Sequence, residues 1–414
     1  MLQLLQTFLS KGVIQTYARK RIDITWRDLW NFIYVYFFRT QTIPQSQAVI
    51  ERLWSPQQTL ATFTARSGFD LCLQACSFPA GSEIIVSAVT IPDMIRIIEL
   101  NGLVPVPVDV DQDGSVWAGA VEALITAKTR AIVVAHLFGS RMPLDAITSL
   151  AHKHELMVIE DCAEAFCGRS FTGHNKADIS MFSFGSIKTA TALGGGLLTV
   201  RSLTLLASMK KIHETYTQQS NTTFFRRMLK YCLFKALTDS PWLYGLFLAT
   251  LRLLKIDHHV LIRKWSRSFR PDNLLPQIRK RPSGALLRLL QYRITHFKIG
   301  DLDSRKASVA SLAALLPENL HPVGFGKDNH QYWLCPIRVR EPEDLVQSLY
   351  RAGFDAADGG TSLAVASTPL FSKPLGATKL MSDIVYVPID HDYDLNTIDC
   401  LASIISRHAK VAEG

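Results

Sequence analysis

Between Asp178 and Arg201 the chain carries one charged side chain, Lys188, within the run DISMFSFGSIKTATALGGGLLTV. A lysine in a tight Gly/Ser turn among apolar residues loses part of its preference for the ammonium form. It becomes a usable nucleophile towards carbonyls. Upstream, LMVIED puts Asp161 at the carboxyl end of a short apolar run that reads as a buried strand. A carboxylate there is costly unless it has a cationic partner. On spacing alone, Asp161 and Lys188 read equally as a buried salt bridge or as two parts of a reactive centre. A third element is TARSGFDLCLQA, residues 64–75, where Ser-Gly is expected to open an amphipathic helix. Free backbone N–H groups at a helix start bind phosphate, although Ser-Gly there is also ordinary capping.

Taken together, the three elements are what pyridoxal 5′-phosphate requires. The phosphate rests on a helix start, a carboxylate faces the protonated pyridine nitrogen, and a lysine bonds the aldehyde carbon. Ser183, on the strand leading to Lys188, is placed to give the phosphate a further hydrogen bond.

Positioning these residues needs strands that end together. SEIIVSAV, LVPVPVDV, RAIVVAHLF and LMVIED are short, β-branched and almost wholly apolar, as strands covered on both faces must be. Helix-like stretches such as VWAGAVEALITAK and PLDAITSLAHKHE lie between them. The alternation predicts an α/β fold with a mostly parallel central sheet and helices on both faces, in which chemistry collects at the carboxyl ends of strands. Four units are expected: a helical arm over 1–60, a cofactor-binding α/β domain over 61–219, a basic aromatic-rich insertion over 220–281, and a smaller C-terminal α+β domain over 282–414.

The 414 residues carry a formal charge of +9. Residues 220–281 hold 13 Lys/Arg against 3 Asp/Glu, and the rest of the chain holds 32 against 33. The basicity is therefore local. It argues against a chain that coats nucleic acid and for one surface with an anionic partner. Basic residues interleaved with Trp242, Tyr244, Phe247, Trp265 and Phe269 resemble an interfacial membrane anchor; a basic insertion covering the core or a dimer contact is the equal alternative. The apolar run Pro241–Leu251 is too short to cross a bilayer. Seven cysteines, with no CxxC pair or metal-spaced Cys/His cluster, point to buried thiols in a reducing compartment. No signal peptide is read in MLQLLQTFLSKG, so a cytoplasmic location is expected.

Other motifs say less. VDVDQDGSV opens like a calcium loop through Asp109, Asp111, Asp113 and Gly114, but Ala120 stands where a bidentate Glu is needed. His152–His154 and His258-His259 lack carboxylate or Cys partners, so no metal is expected. GxSxG, P-loop and GxGxxG motifs are absent.

The ordered series SG before a helix, GSEIIVSAVT, PVPVDVD, HLFG, VIEDCAEA, MFSFGSIK and GGGLLTV resembles the DegT-type sugar aminotransferases, fold-type I enzymes of pyridoxal phosphate. The resemblance spans about 61–205 and, more loosely, 282–410. It implies that Lys188 is the Schiff-base lysine, that Asp161 pairs with the pyridine nitrogen and that Ser183 contacts the phosphate. Glu164 stands where the family usually has a Gln near the ring. Gly68 and Phe69 fall where backbone amides hold the phosphate, Phe69 replacing a polar residue. Ile91 replaces the aromatic ring that often stacks on the cofactor. The segment between Lys188 and the C-terminal domain is longer than usual. The retained lysine separates the chain from the family's dehydratases, which carry His there.

The implied activity is transfer of an amino group from an amino acid, glutamate, to a keto-sugar on a nucleotide or another anionic or lipid carrier, by a homodimer. Two alternatives stay open: a non-catalytic regulator or scaffold on the same fold, and related chemistry on a non-sugar ketone.

Overall fold

The computed structural model describes residues 15–19, 21–38, 41–256, 261, 269, 273–358, 362–368, 371 and 373–408. Trp265 and His258-His259 lie outside them. The core is a seven-stranded sheet: β1 (Thr59–Thr62), β2 (Glu83–Ser87), β4 (Val104–Val108), β5 (Thr129–Ala135), β6 (Met157–Asp161), β7 (Ile179–Ser183) and β8 (Gly196–Val200), with the short β3 (Val89–Thr90) outside it. The spatial order is β1-β8-β7-β6-β5-β2-β4. The strands from β7 through β6, β5 and β2 to β4 are parallel, whereas β8 runs antiparallel to both neighbours.

Alternation along each strand feeds both faces, which is why these runs are apolar throughout. Ile84, Val86, Ile159 and Met181 enter one cluster with helices α3 (Ala65–Cys76), α4 (Pro92–Leu100) and the later Leu203–Glu214. Ile85, Ile132 and Val158 point the other way, towards Asp145–Lys153. Phe182, Phe184 and Leu197 face α1 (Trp26–Phe38), α2 (Ile43–Trp54) and the helices of the insertion. The helix starts are set by side-chain caps: Thr42 with a full capping box to Gln45, then Thr64, Ser202, Ser220, Ser240 and Ser283.

With α5 (Asp145–Lys153) and α6 (Leu203–Glu214) so numbered, the insertion forms α7 (Asn221–Thr238) and α8 (Pro241–Leu253). Tyr244 is not the interfacial aromatic expected of it. It is 1% exposed, and its hydroxyl donates to Asp355 at 2.7 Å. Phe247 packs inward against the core, and Phe269 sits edge-on to Phe63. Of the four expected ring residues that are described, Trp242 is the one the structure leaves exposed. Among the described residues no helix is long and apolar enough to cross a membrane.

Helix α9 (Gly284–Thr295) buries Leu286, Leu287, Leu289 and Leu290 in the same cluster as α1, α2 and α7. The C-terminal unit has its own core. There α10 (Ile299–Ala314), α11 (Pro342–Arg351) and the last helix, Leu395–Arg407, cover a sheet of Pro336–Arg338, Ile384–Tyr386 and Ala357–Asp358. The arm is tied to this unit: Tyr17 N donates to Gly353 O, and Asp355 N donates to Tyr17 O.

Candidate active site

Parallel pairing of β6 with β7 brings the ends of both strands to one edge, with Asp161 opposite Met181 and Ser183 two residues further on. Asp161 accepts from Ala163 N at 3.0 Å, which aims its carboxylate along the sheet's carboxyl edge. Burial pushes this carboxyl above its ordinary range, against the pull of that hydrogen bond and of Lys188. A rigid floor lies behind it. His136 Nδ1 accepts from Met142 N, so the ring proton sits on Nε2 and goes to Glu160 Oε1 at 2.8 Å. Glu160 Oε2 is held by Ser180 Oγ and His174 N. His136, Glu160 and Cys162 lie within metal-ligand reach of one another, but these bonds already engage both His136 nitrogens and both Glu160 oxygens.

Lys188 sits in a turn closed by its own N–H to Gly185 O and by Thr191 Oγ1 to Gly185 O. The return uses two non-glycine residues at positive φ, Ala190 at 54° and Leu193 at 60°. Such angles persist where the surroundings enforce them. Here the arm helps, since Asp23 accepts from Ala190 N at 2.8 Å. The ion-pair partner of Lys188 is Glu164, not Asp161: Nζ donates to Glu164 Oε1 at 3.1 Å, and Glu164 Oε2 accepts from Phe138 N. Burial also pushes the Glu164 carboxyl up, with Lys188 opposing. Lys188 Nζ lies 3.7 Å from the centroid of Trp333, whose indole N–H donates to Ile187 O. Trp333 carries no motif in the sequence and is delivered by the C-terminal half of the chain.

Asp161, Glu164, Ser183, Lys188 and Ile91 line one cavity of about 70 Å³. Gly68 and Phe69 do not reach it, which corrects their expected role. The cap of α3 is Thr64, three residues before the Ser-Gly pair, and Thr64 Oγ1 takes the Ser67 N–H while Thr64 O takes that of Gly68. Gly68 and Phe69 are therefore inside the helix, fully in the core. A Cβ on Gly68 would come 2.3 Å from Leu198 Cδ1, so this glycine permits close helix–sheet packing. The residues at the cavity are Ala65 and Arg66, whose first-turn N–H groups have no acceptor within the helix. The Thr64-x-x-Ser67 capping pattern was the signal that could have found them.

This donor set fits pyridoxal phosphate. Two amides at a helix start and the Ser183 hydroxyl suit a phosphate, Asp161 suits a protonated ring nitrogen, and Ile91 offers an apolar wall. The cavity continues past Lys188 and Ser362, which line both spaces, into a second cavity of about 360 Å³. The larger space is walled by the arm, by α7 and by the C-terminal unit, through Arg19, Arg21, Lys235, Arg305 and Asp390. Arg21 and Arg305 are paired with Asp390, and Lys235 with Asp239. Arg19 buries Nε and Nη1 with no hydrogen-bond partner among the described residues.

The calcium-like loop is a turn. Asp109 accepts from Gly376 N and Ala377 N at the start of helix Leu375–Asp383, and Asp111 accepts from Asp113 N and Ser115 N.

The fold is shared with solved aminotransferases. An aminotransferase, TlmJ, from Streptoalloteichus hindustanus superposes with a TM-score of 0.69 at 14% identity, covering 95% of this chain and 98% of that one. Helicobacter pylori PseC, an aminotransferase involved in the biosynthesis of pseudoaminic acid, gives 0.67 at 16%, covering 95% and 99%. DesI, solved in the presence of its TDP-sugar product, gives 0.67 at 16%, covering 97% and 95%. These likenesses show the fold-type I scaffold. The profile of the DegT/DnrJ/EryC1/StrS aminotransferase family matches residues 48–232. That segment, somewhat under half of the chain, builds the sheet from β1 to β8 and carries both Asp161 and Lys188, so the part of the chain that is similar to the DegT/DnrJ/EryC1/StrS aminotransferase family is the part that holds the candidate site.

Proposed function

We propose that the protein is a pyridoxal-phosphate-dependent aminotransferase that moves an amino group from glutamate to a keto-sugar borne on an anionic carrier. The observation that carries the reading is that Asp161 and Lys188 line one cavity at the carboxyl edge of the sheet, although no bond joins them. The match of residues 48–232 to an aminotransferase family supports transamination, and a solved neighbour with a TDP-sugar product supports a sugar acceptor. The 360 Å³ cavity beyond Lys188 offers the acceptor its space, and the buried nitrogens of Arg19, without a hydrogen-bond partner among the described residues, suit an anionic group on it. We also infer a homodimer, as the family resemblance implies. The seven free cysteines fit a reducing, cytoplasmic setting.

When bound, pyridoxal phosphate supplies an electron sink for charge developing on the donor carbon. The protein's own groups do the rest. Ala65 N, Arg66 N and Ser183 would hold the phosphate end. Asp161 would keep a proton on the ring nitrogen. With that group bound, Lys188 Nζ would be the base that takes the proton from the donor Cα and the acid that returns it. Glu164 and Trp333 fix where that nitrogen rests. Donor amine and acceptor ketone exchange oxidation level, so no outside oxidant is needed.

Lys188→Ala is expected to abolish turnover and the visible absorbance of the bound cofactor. The assay mixes glutamate with candidate keto-sugar nucleotides and follows the aminated product by mass spectrometry. Full activity in that variant ends the reading, and a purified wild-type protein that takes up no cofactor favours the scaffold alternative.

A further inference from the structure

Three helices form one layer over the Phe182/Phe184 face of the sheet. Helix α1 runs antiparallel to α7: Phe32 and Tyr36 touch Phe225 near the start of α7, and Trp26 lies under Lys235 near its end. The two-residue turn Asp239–Ser240 then leads into α8. The inward residues of all three helices, Phe32, Phe224, Tyr231 and Leu248 among them, join one buried cluster. Their opposite stripes are left outside the layer.

Those stripes are apolar and aromatic. On α1 the exposed residues include Trp26, Trp30 (70%), Tyr34 (61%), Phe37 and Phe38, spaced as one helical stripe. On α7 and α8 they include Leu229, Leu233 (65%), Trp242 (60%), Leu243, Leu246 and Leu253. Exposed apolar side chains in such number on three neighbouring helices mark an interaction face. Its charge is of one sign: Arg27, Arg226, Lys230 and Arg252 are exposed on these helices, and Lys255 just beyond them. The acids in the three helices and the turn are Asp28, bonded to Arg293, and Asp239, bonded to Lys235. Trp and Tyr rings in an apolar stripe flanked by Arg and Lys, with no free acid among the described residues of these helices, match the interface of an anionic bilayer. A protein partner would need acids to meet these cations around an aromatic face, whereas lipid headgroups supply them without shape requirements.

We propose that the outward face of α1, α7 and α8 docks the protein peripherally on an anionic membrane surface. Trp26, Lys235 and Asp239 also line the larger cavity, so its mouth opens beside this face. Docking would present that mouth to an acceptor carried on lipid, a consequence that rests on the function proposed above. Docking itself does not.

The test is co-sedimentation of the full chain with vesicles of equimolar phosphatidylcholine and phosphatidylglycerol, against vesicles of phosphatidylcholine alone, at low and high salt. Binding is expected to the anionic vesicles and to fall with salt. Replacing Arg226 and Arg252 by Gln should weaken it on the order of tenfold or more. Replacing Trp30 and Tyr34 by Ser should weaken it at both salt concentrations. All four side chains are exposed, so the variants should keep the wild-type circular dichroism and melting temperature; should the aromatic pair fail to fold, the charge pair alone carries the test. Failure to bind either vesicle overturns the proposal, as does binding that neither pair of substitutions changes. A wild-type dimer that the Trp30/Tyr34 variant reduces to monomer, without vesicle binding, overturns it in favour of a contact between copies. The readout needs no turnover, so failure here leaves the proposed reaction standing.

Discussion

Asp161 illustrates how a buried carboxylate opposes stability. Its folded carboxyl holds a proton more tightly than an unfolded one because burial penalises the charge. Below the ordinary carboxylate value of about 4 both states are protonated and nothing is lost. As pH rises through the raised folded value, the unfolded chain gives up its proton more readily, so this residue's contribution to stability falls. Asp161→Asn removes the buried charge while keeping the shape. The cofactor-free variant is expected to melt a few degrees higher than wild type near neutral pH, with the gain vanishing near pH 4. The same variant should lose most turnover, because a neutral amide does not hold a proton on the ring nitrogen. Thermal melts at several pH values, with a single activity assay, check both halves.

At the scale of elements, the start of α3 shows how one misplaced cap relocates the residues proposed to bind a phosphate. Thr64 and Ser67 are both good capping residues, and three positions separate a cap from the interior. The Ser-Gly reading took the second; the structure uses the first, which brings Ala65 and Arg66 to the cavity and buries Gly68 against Leu198. Gly68→Val is accordingly expected to lower stability by about 1–3 kcal/mol through overpacking. Cofactor affinity of the folded fraction should stay unchanged. Thr64→Ala should cost about 1 kcal/mol and weaken cofactor affinity as well, since it loosens the turn that presents both amides. Denaturant titration and cofactor titration of the two variants separate the roles.

Across the whole molecule, the arm closes the larger cavity by reaching the C-terminal unit. Asp390 binds Arg21 of the arm and Arg305 of α10, with Arg21 also held by Asp392. Burial alone would raise the Asp390 carboxyl, but the His391 hydrogen bond and the two guanidinium groups hold it well below the usual range. Its contribution is therefore present above the ordinary carboxylate value and is lost as pH falls through the lowered one. Asp390→Ala is expected to cost about 1–3 kcal/mol by leaving charged partners unmet. It should also raise KM for the acceptor several-fold while sparing the first half-reaction with glutamate. Equal loss in both half-reactions would show that the arm does not shape the acceptor space.

Much of the sheet was legible from local pattern, because a strand covered on both faces must be apolar at every position and few other elements are. Asp161, Ser183 and Lys188 were legible for the same reason: polar residues at the ends of such runs have few structural uses. Glu164 was placed by its neighbours in VIEDCAEA, but its pairing with Lys188 emerged only when that loop met the turn. Tertiary structure alone decided the rest. Trp333, Ser362 and the arm's Asp23 reach the lysine across more than a hundred residues of chain, and no local spacing records such contacts. The sides of α1, α7 and α8 that remain uncovered were likewise undecided until the fold existed. A helix rich in aromatics buries the stripe its neighbours can reach and exposes the other, and which is which depends on what packs against it.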